Sequence, residues 1–345
     1  MKGIIIAGGL GTRLRPLTYQ RPKPLTPVAN RPFLEYQVAL LREHGVDDIV
    51  FATNYMAERI EAHFGDGTAF GVRMRYALED TPLGTGGAIR NAAEMFPDET
   101  VCVFNGDVLT DFSLEKIIEL HIQKKAIATI TLAEVPSPNP YGVLILDKQG
   151  KVQDWTEPSE EKKKTLSTDN ELMSGGKELI NAGFYVLEPS FIAQIPHGIS
   201  QSLERDIFPS LIAEKAPIYG TSPKGYWMDV GRAEQLLAAT QAILSGQIHT
   251  AAPGQAVGAG TTIAPSTWIN GMTSIGKKCR IGDGCRLENC IVMDGCSIGK
   301  HVRLSNVIVD EGCRIQDEVI VEGRSSGTPV IASGSTLARG TRLVI

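Results

Sequence analysis

The last quarter of the sequence repeats an apolar residue at every sixth position. The repeated positions are Val257, Ile263, Ile269, Ile275, Ile281 and Leu287. Six residues make one face of a three-sided coil, so this period predicts a left-handed parallel β-helix over residues 251–345. From residue 281 the period becomes seventeen, because residues 281–297 (IGDGCRLENCIVMDGCS) align with residues 298–314 (IGKHVRLSNVIVDEGCR). This alignment matches Ile281 with Ile298, Leu287 with Leu304 and Val292 with Val309.

Cysteine usage follows the same repeat. The chain contains no C-x-x-C pair of the kind that holds zinc or belongs to a small disulfide scaffold. Four cysteines lie four residues after an apolar position, at a small inward-facing place in the coil: Cys279, Cys285, Cys296 and Cys313. We therefore expect these thiols to pack the core of the β-helix. His301 lies where hexapeptide acyltransferases keep a catalytic histidine, but its ordinary coil position favours a structural or exposed role.

Residues 1–245 alternate short apolar runs with amphipathic segments, which predicts a Rossmann-like, doubly wound α/β domain. Strands are predicted at 2–6, 48–52, 72–78, 101–104, 127–132, 143–146 and 180–187. Helices are predicted over 33–41, 57–64 and 232–244. A polar run from Ser159 to Lys177 interrupts this pattern and predicts a solvated loop. Ligands of such sheets bind beyond the carboxyl ends of the strands.

Composition limits the classes of function that remain. The 345 residues carry a net charge of −5, and the pI is about 5.8, which does not favour a nucleic-acid or membrane partner. No apolar run approaches the roughly 20 residues that span a bilayer. The N-terminus lacks the pattern of a signal peptide, so a cytoplasmic protein is the expectation.

A glycine-rich stretch follows the first predicted strand. Residues 7–24 read AGGLGTRLRPLTYQRPKP, with glycines at 8, 9 and 11 that leave no Cβ between the main chain and a ligand. Such a loop suits polyphosphate, and Arg13, Arg15 and Lys23 add positive charge for the same ligand. The Gly-Lys-Ser/Thr ending of a P-loop is absent, and Leu14 stands where the dinucleotide fingerprint needs a third glycine.

The whole stretch resembles the signature G-G-x-G-T-R-L-x-P-x-T…P-K-P of the sugar-1-phosphate nucleotidylyltransferases, or NDP-sugar pyrophosphorylases. The resemblance covers nearly the entire chain. It implies a nucleotidyltransferase catalytic domain over residues 1–245 and a hexapeptide β-helix domain over 251–345. It also implies an enzyme that forms an NDP-sugar and pyrophosphate from an NTP and a sugar 1-phosphate.

This transfer needs no protein nucleophile, because the sugar 1-phosphate already carries an anionic oxygen. Its barrier lies in charge repulsion and alignment, which a divalent cation and positive side chains lower. By the resemblance, Asp107 and Asp229 bind Mg²⁺ in G-D and W-x-D-x-G motifs, and Arg13 holds the triphosphate. Lys23 stabilises the reacting phosphates and contacts the sugar phosphate. Taken alone, either aspartate is more often a turn or cap residue.

The implied nucleotide site joins the opening loop to a second glycine-rich segment. Its residues are Ala7, Gly8, Gly9, Gly11, Thr12, Arg13, Glu79, Leu83, Gly84 and Thr85. The L-G-T-G-G form at 83–87 resembles the family's L-G-T-A-G segment, which lines the nucleobase pocket and starts a helix. A threonine-capped helix start explains it equally well. Glu79 offers an acceptor to guanine N1–H and the 2-amino group, or is a solvated carboxylate at a strand end.

For the sugar, three positions match family motifs. Gly142 lies in Y-G-V, Glu157 takes the place of the acid in F-x-E-K-P, and Asn181 begins N-x-G. An amide, a carboxylate and a backbone N–H are groups that bind hydroxyls. Pro158 stands where the family has a lysine after the glutamate. Either one of Lys162, Lys163 and Lys164 supplies the missing positive charge, or none of them does.

The resemblance is greatest to bacterial mannose-1-phosphate guanylyltransferases with a C-terminal β-helix, and implies GDP-mannose formation from GTP. Glucose-1-phosphate thymidylyl- or uridylyltransferases and heptose-1-phosphate guanylyltransferases are alternatives. A non-catalytic regulatory subunit that binds a sugar nucleotide is an alternative of another class. A short β-helix buries little surface alone, so we expect docking on another surface and a homo-oligomer.

Overall fold

A computed structural model describes residues 1–137, 139–157, 175–324 and 327–345. Packing divides the chain into two compact units. The first unit comprises Met1–Gly9 and Leu40–Trp227, and the second comprises Leu10–Ala39 and Met228–Ile345. The glycine-rich opening loop is therefore shared: its first three residues belong to the first unit and the rest to the second.

Strands and helices alternate up to residue 244. The strands are β1 (Lys2–Ile6), β2 (Pro27–Val28), β3 (Arg31–Pro32), β4 (Asp48–Thr53), β5 (Arg73–Leu78), β6 (Val101–Asn105), β7 (Val108–Thr110), β8 (Ala128–Ser137), β9 (Val143–Leu146), β10 (Val152–Thr156), β11 (Gly175–Leu187), β12 (Ile218–Thr221) and β13 (Trp227–Asp229). The described helices are α1 (Phe33–Glu43), α2 (Ala57–Phe64), α3 (Gly84–Ala93), α4 (Leu114–Lys124), α5 (Pro189–Ile192), α6 (Phe208–Ala213) and α7 (Ala233–Leu244). Turns of 3-10 helix cover Thr12–Leu14, Leu17–Tyr19, Lys23–Leu25 and Thr68–Phe70, and a π-helix covers Leu203–Ile207.

A sheet of nine described strands forms the centre of the first unit. Its order is β10-β9-β11-β6-β1-β4-β5, with β8 paired to β11 and β12 paired to β8. β1 pairs in parallel with β4 and β6, and β11 pairs antiparallel with β6 and β8. Ile4 and Ile5 of β1 are fully buried, as expected for a central parallel strand covered on both faces. The prediction of a doubly wound α/β domain is confirmed.

Aromatic packing joins the antiparallel side of this sheet to its helices. The Phe208 ring at the start of α6 stacks on Trp155 of β10, with ring centroids 5.1 Å apart. It also packs against Phe191 of α5 at 5.1 Å and Tyr185 of β11 at 5.7 Å. Such ring pairs add to the free energy gained by burying their area. This cluster fixes the end of β11 that carries polar residues of the site described below.

The second unit contains three parallel sheets whose strands recur in turn along the chain. The strands are β14 (Thr262–Ile263), β15 (Trp268–Asn270), β16 (Ser274–Ile275), β17 (Arg280–Ile281), β18 (Arg286–Glu288), β19 (Ile291–Val292), β20 (Ser297–Ile298), β21 (Arg303–Ser305), β22 (Ile308–Val309), β23 (Arg314–Ile315), β24 (Ile320–Glu322), β25 (Val330–Ile331), β26 (Thr336–Leu337) and β27 (Arg342–Val344). The sheets run β14-β17-β20-β23-β26, β15-β18-β21-β24-β27 and β16-β19-β22-β25. This arrangement is consistent with a left-handed β-helix.

The register of these sheets confirms the repeat read from the sequence. Ile281 pairs with Ile298, Leu287 with Leu304 and Val292 with Val309. The last coil is longer than seventeen residues, since Val309 pairs with Ile331. All six cysteines are buried, and Cys279, Cys285, Cys296 and Cys313 lie in the apolar core of the β-helix. His301 is exposed at a coil corner with φ of 55°, as expected.

One boundary differs from the prediction, and one expectation lies outside the described residues. Strand β11 begins at Gly175, so the last three residues of the run predicted as a loop from Ser159 to Lys177 lie in a strand, and residues 159–174 lie outside the described residues. The β11–β8 pairing accounts for this, because backbone hydrogen bonds to β8 hold even polar residues such as Lys177 in a strand. Lys162, Lys163 and Lys164 lie outside the described residues. Within the described part of the chain, no helix is long and apolar enough to cross a membrane.

The burial of the thiols predicts their reactivity. Burial raises the pKa of Cys102 and of Cys290 to about 12, so neither forms a thiolate near neutral pH. A hydrogen bond with Cys296 lowers the pKa of Cys279 to about 7, but this thiol is buried like the others. Because all six thiols are buried, we expect none of them to react with an aromatic disulfide reagent in the native protein at about pH 8. All six should react once the chain is unfolded in denaturant. Rapid labelling of any thiol in the native protein would contradict the core assignment.

Candidate active site

The parallel pairing of β1 with β6 places two predicted site segments at one edge of the sheet. Ile6 pairs with Asn105, so the chain leaves both strands at the same level. The Gly106 N–H donates to the Ile6 carbonyl oxygen at 2.9 Å. A Cβ on Gly106 would overlap that same oxygen, so the glycine is required by strand packing rather than by substrate approach. Asp107 follows directly and is half-buried.

Of the three residues that follow β1, Gly9 is the one with open space beside its backbone. Ala7 is buried, and its N–H donates to the Ala52 carbonyl of β4 at 2.8 Å. A Cβ on Gly8 would lie 3.3 Å from the Asn54 Cβ and 3.7 Å from Glu79 Oε1. A Cβ on Gly9 would meet no described atom within 4 Å. The loop therefore starts from a fixed strand end and opens at Gly9.

Glu79 joins this loop to the second glycine-rich segment. Its side chain is buried, with 6% exposed, and Oε2 accepts the Leu83 N–H at 2.9 Å. Burial raises the pKa of the Glu79 carboxyl, and the Leu83 N–H opposes that rise only in part. The alternative of a solvated strand-end carboxylate is wrong. The fold instead brings Gly8, Glu79 and Leu83 together, as the predicted nucleotide site requires.

Thr85 does not cap helix α3. Its hydroxyl donates to Glu204 Oε2 at 2.8 Å and accepts the Leu203 N–H at 2.9 Å. The glycines beside it have a packing reason, because a Cβ on Gly84, where φ is 70°, would lie 2.5 Å from the Gln201 carbonyl oxygen. The Gly86 N–H donates to that oxygen at 2.9 Å. The helix start is thus fixed by a distant segment, and the threonine-cap explanation is wrong.

A buried polar network continues from Thr85 to Asn181. Its middle members, Glu204 and Tyr185, are not among the residues predicted from the sequence. Glu204 Oε1 accepts the Tyr185 hydroxyl at 3.3 Å, and that hydroxyl accepts the Asn181 Nδ2–H at 2.6 Å. Ser202 also donates its hydroxyl to Glu204, at 2.9 Å. Tyr185 is fully buried, which raises its pKa far above the ordinary value. The sequence offered one weak signal, the apolar and acidic run after Ser202 that forms the π-helix, a form often found at functional sites.

The predicted sugar residues are held by short local contacts. Glu157 Oε1 accepts the Trp155 indole N–H at 2.9 Å and packs over Gly142, where a Cβ would overlap the carboxylate. Asn181 Oδ1 accepts the Gly183 N–H at 3.0 Å. The indole of Trp227 donates to the Ala182 carbonyl at 2.9 Å. These contacts fix the orientation of a carboxylate and an amide before any ligand binds.

In the second unit, folding brings Lys23 back to Gly11. Gly11 has φ of 58°, and its carbonyl accepts the Thr18 hydroxyl at 2.9 Å. A Cβ on Gly11 would lie 2.7 Å from the Lys23 Cβ, so this glycine permits the close approach of the lysine. The P-K-P part of the signature therefore packs on the G-T-R part.

Arg13 lies beside the segment that follows Asp229. A Cβ on Gly231 would be 2.8 Å from Arg13 Nη2 and 3.0 Å from its Cζ. Asp229 ends β13 two residues earlier and is half-buried, whereas Thr12 and Arg13 are exposed. The guanidinium thus rests on a surface that only glycine leaves free.

The oxygen donors fit a small hard cation. Among the described residues, no group of three or more histidine, cysteine, aspartate or glutamate side chains forms a metal cluster. Mg²⁺ in phosphate-binding enzymes takes one or two carboxylates and completes its shell with phosphate and water. Asp107 and Asp229 supply oxygen donors of that number and type.

Comparison with known proteins shows the family to which both parts of the chain are similar. The nucleotidyl transferase family model matches residues 2–246, and the GMPPB C-terminal domain model matches residues 252–343. The chain is 35% identical over 301 residues to a mannose-1-phosphate guanylyltransferase of Mycobacterium tuberculosis, covering 86% of this chain and 80% of that protein. It is 33% identical to a UTP–glucose-1-phosphate uridylyltransferase of Synechocystis, covering 90% and 87% of the two chains. The crystal structure of HddC from Yersinia pseudotuberculosis complexed with GMP-PN has 28% identity and a TM-score of 0.58, over 70% of this chain and 98% of that one.

The buried Glu79 predicts a pH-dependent stability difference. Because the folded-state pKa is raised, the wild type loses stability as pH rises above the ordinary glutamate range, whereas a neutral side chain does not. Glu79→Gln keeps an acceptor for the Leu83 N–H. Its free energy of unfolding, relative to the wild type, should therefore increase between about pH 4 and about pH 7 in denaturant titrations. A difference that is independent of pH would contradict the assignment.

The network around Glu204 predicts unequal costs for two neighbouring substitutions. Glu204→Ala removes the acceptor of the buried Tyr185 hydroxyl and should lower the free energy of unfolding by about 1–3 kcal/mol. Ser202→Ala removes one donor to the same carboxylate and the acceptor of the Arg205 N–H at 3.2 Å, and should cost about 1 kcal/mol. Denaturant unfolding measures both. Equal costs would show that Glu204 does not hold the network together.

Proposed function

Because the chain belongs to the nucleotidyl transferase family, we propose that it forms GDP-mannose and pyrophosphate from GTP and mannose 1-phosphate. Mannose-1-phosphate guanylyltransferases of Mycobacterium tuberculosis and Arabidopsis thaliana are among its relatives at 31% identity or more. The structure of HddC complexed with GMP-PN supports a guanine nucleotide as ligand.

One structural observation carries the reaction type. The two cations that the signature separates by ten positions, Arg13 and Lys23, are both held on the opening segment by glycine contacts. Lys23 packs at Gly11 and Arg13 rests on Gly231, beside the segment that carries Asp229. An ordinary surface turn has no need of such close approaches. Transfer between a nucleoside triphosphate and a sugar monophosphate, which are both anions, does need fixed positive charge.

The reaction uses the substrate's own nucleophile. An oxygen of the mannose 1-phosphate attacks the α-phosphorus of GTP, and the bond from that phosphorus to the α–β bridging oxygen breaks. Pyrophosphate leaves with that oxygen and its electron pair. We assign Arg13 to binding of the triphosphate. We assign Lys23 to reducing the repulsion between the α-phosphate of GTP and the phosphate of the sugar. The N–H groups of the open loop at Gly8 and Gly9 bind phosphate oxygens.

Asp107 and Asp229 are assigned to Mg²⁺, which when bound neutralises phosphate charge. The donor set fits this role, since carboxylate oxygens are the protein ligands that Mg²⁺ prefers. Divalent-metal use is general in the family, whereas the choice of Mg²⁺ is part of this proposal.

Glu79 and the sugar residues are assigned to substrate selection. Glu79 Oε2 is engaged by Leu83, and Oε1 faces Gly8, so Oε1 is the acceptor offered to guanine N1–H or its 2-amino group. Uracil and thymine present one ring N–H and no amino group, so this carboxylate favours guanine. Glu157, Asn181 and the Gly142 backbone are assigned to sugar hydroxyls. Glucose 1-phosphate with UTP is the second candidate, favoured by the Synechocystis relative.

The test measures pyrophosphate release in the presence of Mg²⁺. Each of ATP, CTP, GTP, UTP and dTTP is paired with the 1-phosphates of mannose, glucose, N-acetylglucosamine and heptose. GTP with mannose 1-phosphate should give the highest kcat/KM. Lys23→Ala and Asp107→Asn should each lower it by about 100-fold or more. The exposed residues Lys148 and Asp98 supply matched controls, Lys148→Ala and Asp98→Asn, which should leave it unchanged.

Each other outcome has a defined meaning. A different active pair, lost in the same variants, would retain nucleotidyl transfer and refute the substrate assignment. Glu79→Gln should lower kcat/KM for GTP more than for UTP, and equal losses would refute its role toward guanine. If no pair of substrates releases pyrophosphate while the protein still binds an NDP-sugar, the enzymatic function is refuted and a regulatory subunit is favoured.

A further inference from the structure

An arginine inside the opening segment is buried against the β-helix. Arg21 lies between the two halves of the signature, and only 6% of it is exposed. Its Nη2 donates to Asp310 Oδ1 at 2.7 Å and lies 3.0 Å from Glu311 Oε1. Its Nη1 donates to Met293 Sδ at 2.8 Å. All four residues belong to the second unit. The sequence motifs that imply the function do not include this arginine.

The acceptors of Arg21 are part of a rigid surface. Met293 and Asp310 follow the paired residues Val292 and Val309, so they occupy equivalent places in successive coils. Asp310 is 2% exposed, and its Oδ1 also accepts the Glu311 N–H at 2.8 Å. Core thiols hold the carbonyls of the same two residues: Cys279 donates to Met293 and Cys296 to Asp310, each at 3.1 Å. The guanidinium therefore spans two coils whose backbone is fixed from inside.

A second set of contacts holds the segment on the other side of Lys23. The Asn30 side chain donates to the Ile275 carbonyl at 2.7 Å and to the Gln255 carbonyl at 2.8 Å. The Gln255 N–H donates to the Ala29 carbonyl at 2.8 Å. The segment that contains Lys23 is thus attached to the β-helix unit at both ends. Pro22 and Pro24 fix φ on either side of the lysine, so its backbone has little freedom relative to Arg21.

Stability alone does not explain such an arginine. A buried ion pair carries a desolvation cost that often equals its attraction, so an apolar pair would serve stability as well. A planar guanidinium that donates from Nη1 to one coil and from Nη2 to the next specifies a position, because its hydrogen bonds are lost after small displacements. The catalytic use of a lysine is equally sensitive to displacement.

We propose that Arg21 is a positioning residue, anchored by Asp310, through which the β-helix fixes the place of Lys23 in the nucleotidyl transfer. The inference rests on the proposed function for the role of Lys23. The anchoring itself rests only on the contacts within the second unit. The β-helix is then a structural part of the catalytic apparatus rather than an appended module.

The experiment compares Asp310→Asn, Arg21→Met and the wild type as full-length proteins in two measurements. Hydrogen–deuterium exchange of peptides covering residues 11–25, without ligand, should be faster in both variants. Steady-state kinetics should show kcat lowered by roughly tenfold or more. The KM for the sugar phosphate should rise less than it does in Lys23→Ala, because both variants displace the lysine assigned to the reacting phosphates without removing it.

A matched control separates positioning from loss of stability. Asp48 forms a largely buried pair with Arg75 at 2.9 Å, in the first unit. Asp48→Asn should neither slow turnover nor change the exchange over residues 11–25, even if it lowers the melting temperature as much as Asp310→Asn does. Unchanged exchange in Asp310→Asn would overturn the anchor, and faster exchange with an unchanged kcat would overturn the positioning role. An equal fall of kcat in Asp48→Asn would also overturn it. A wild type inactive with every pair of substrates would refute the proposed function, while the exchange data would still decide the anchor.

Discussion

The parallel pairing of β1 with its neighbours is the interaction on which the first unit depends. It brings Ile6 level with Asn105, so that the loop after Ala7 and the loop that carries Asp107 leave the sheet together. Only a glycine at 106 permits the hydrogen bond to Ile6 at this point. The adjoining pairing with β4, and of β4 with β5, leads to Glu79, whose buried carboxylate stands between Gly8 and Leu83. A few backbone hydrogen bonds therefore assemble the proposed nucleotide-binding surface from segments far apart in the chain.

Close approach at glycine recurs in both units and has a common physical reason. Gly11, Gly106, Gly142 and Gly231 each contact a group that a Cβ would displace: a lysine, a carbonyl, a carboxylate and a guanidinium. Each of these contacts places its group against the backbone: Lys23 does so through its Cβ, and Arg13 through the guanidinium of a residue that stays exposed. Such groups lose little conformational freedom when a ligand binds, because most of that freedom was lost on folding. The site residues are thus oriented before the substrate arrives.

The elements with strong periodicity were predictable, as were the motif residues. The hexapeptide repeat, the seventeen-residue coil and strand β1 were read correctly because their patterns are local and regular. Glu204, Tyr185 and Arg21 were not found, because each acts through partners more than a hundred positions away or at spacings that no motif records. For a related reason, the sequence left two explanations for the role of Glu79 and two for that of Thr85. Burial and distant donors decide those cases, and neither is visible from neighbours in sequence.

By itself the sequence determined the two kinds of architecture, the family resemblance and the set of cations, carboxylates and glycines that the chemistry requires. Periodicity and motif spacing depend on backbone geometry that repeats over a few residues, so they can be read directly from the chain. Only the tertiary structure decided what holds those residues: Leu83 on Glu79, Thr85 on Glu204, and the segment around Lys23 on the coils of the β-helix through Arg21. These contacts join residues that folding alone brings together. Their geometry depends on the packing of the whole unit, because buried polar groups must find their partners wherever the fold places them.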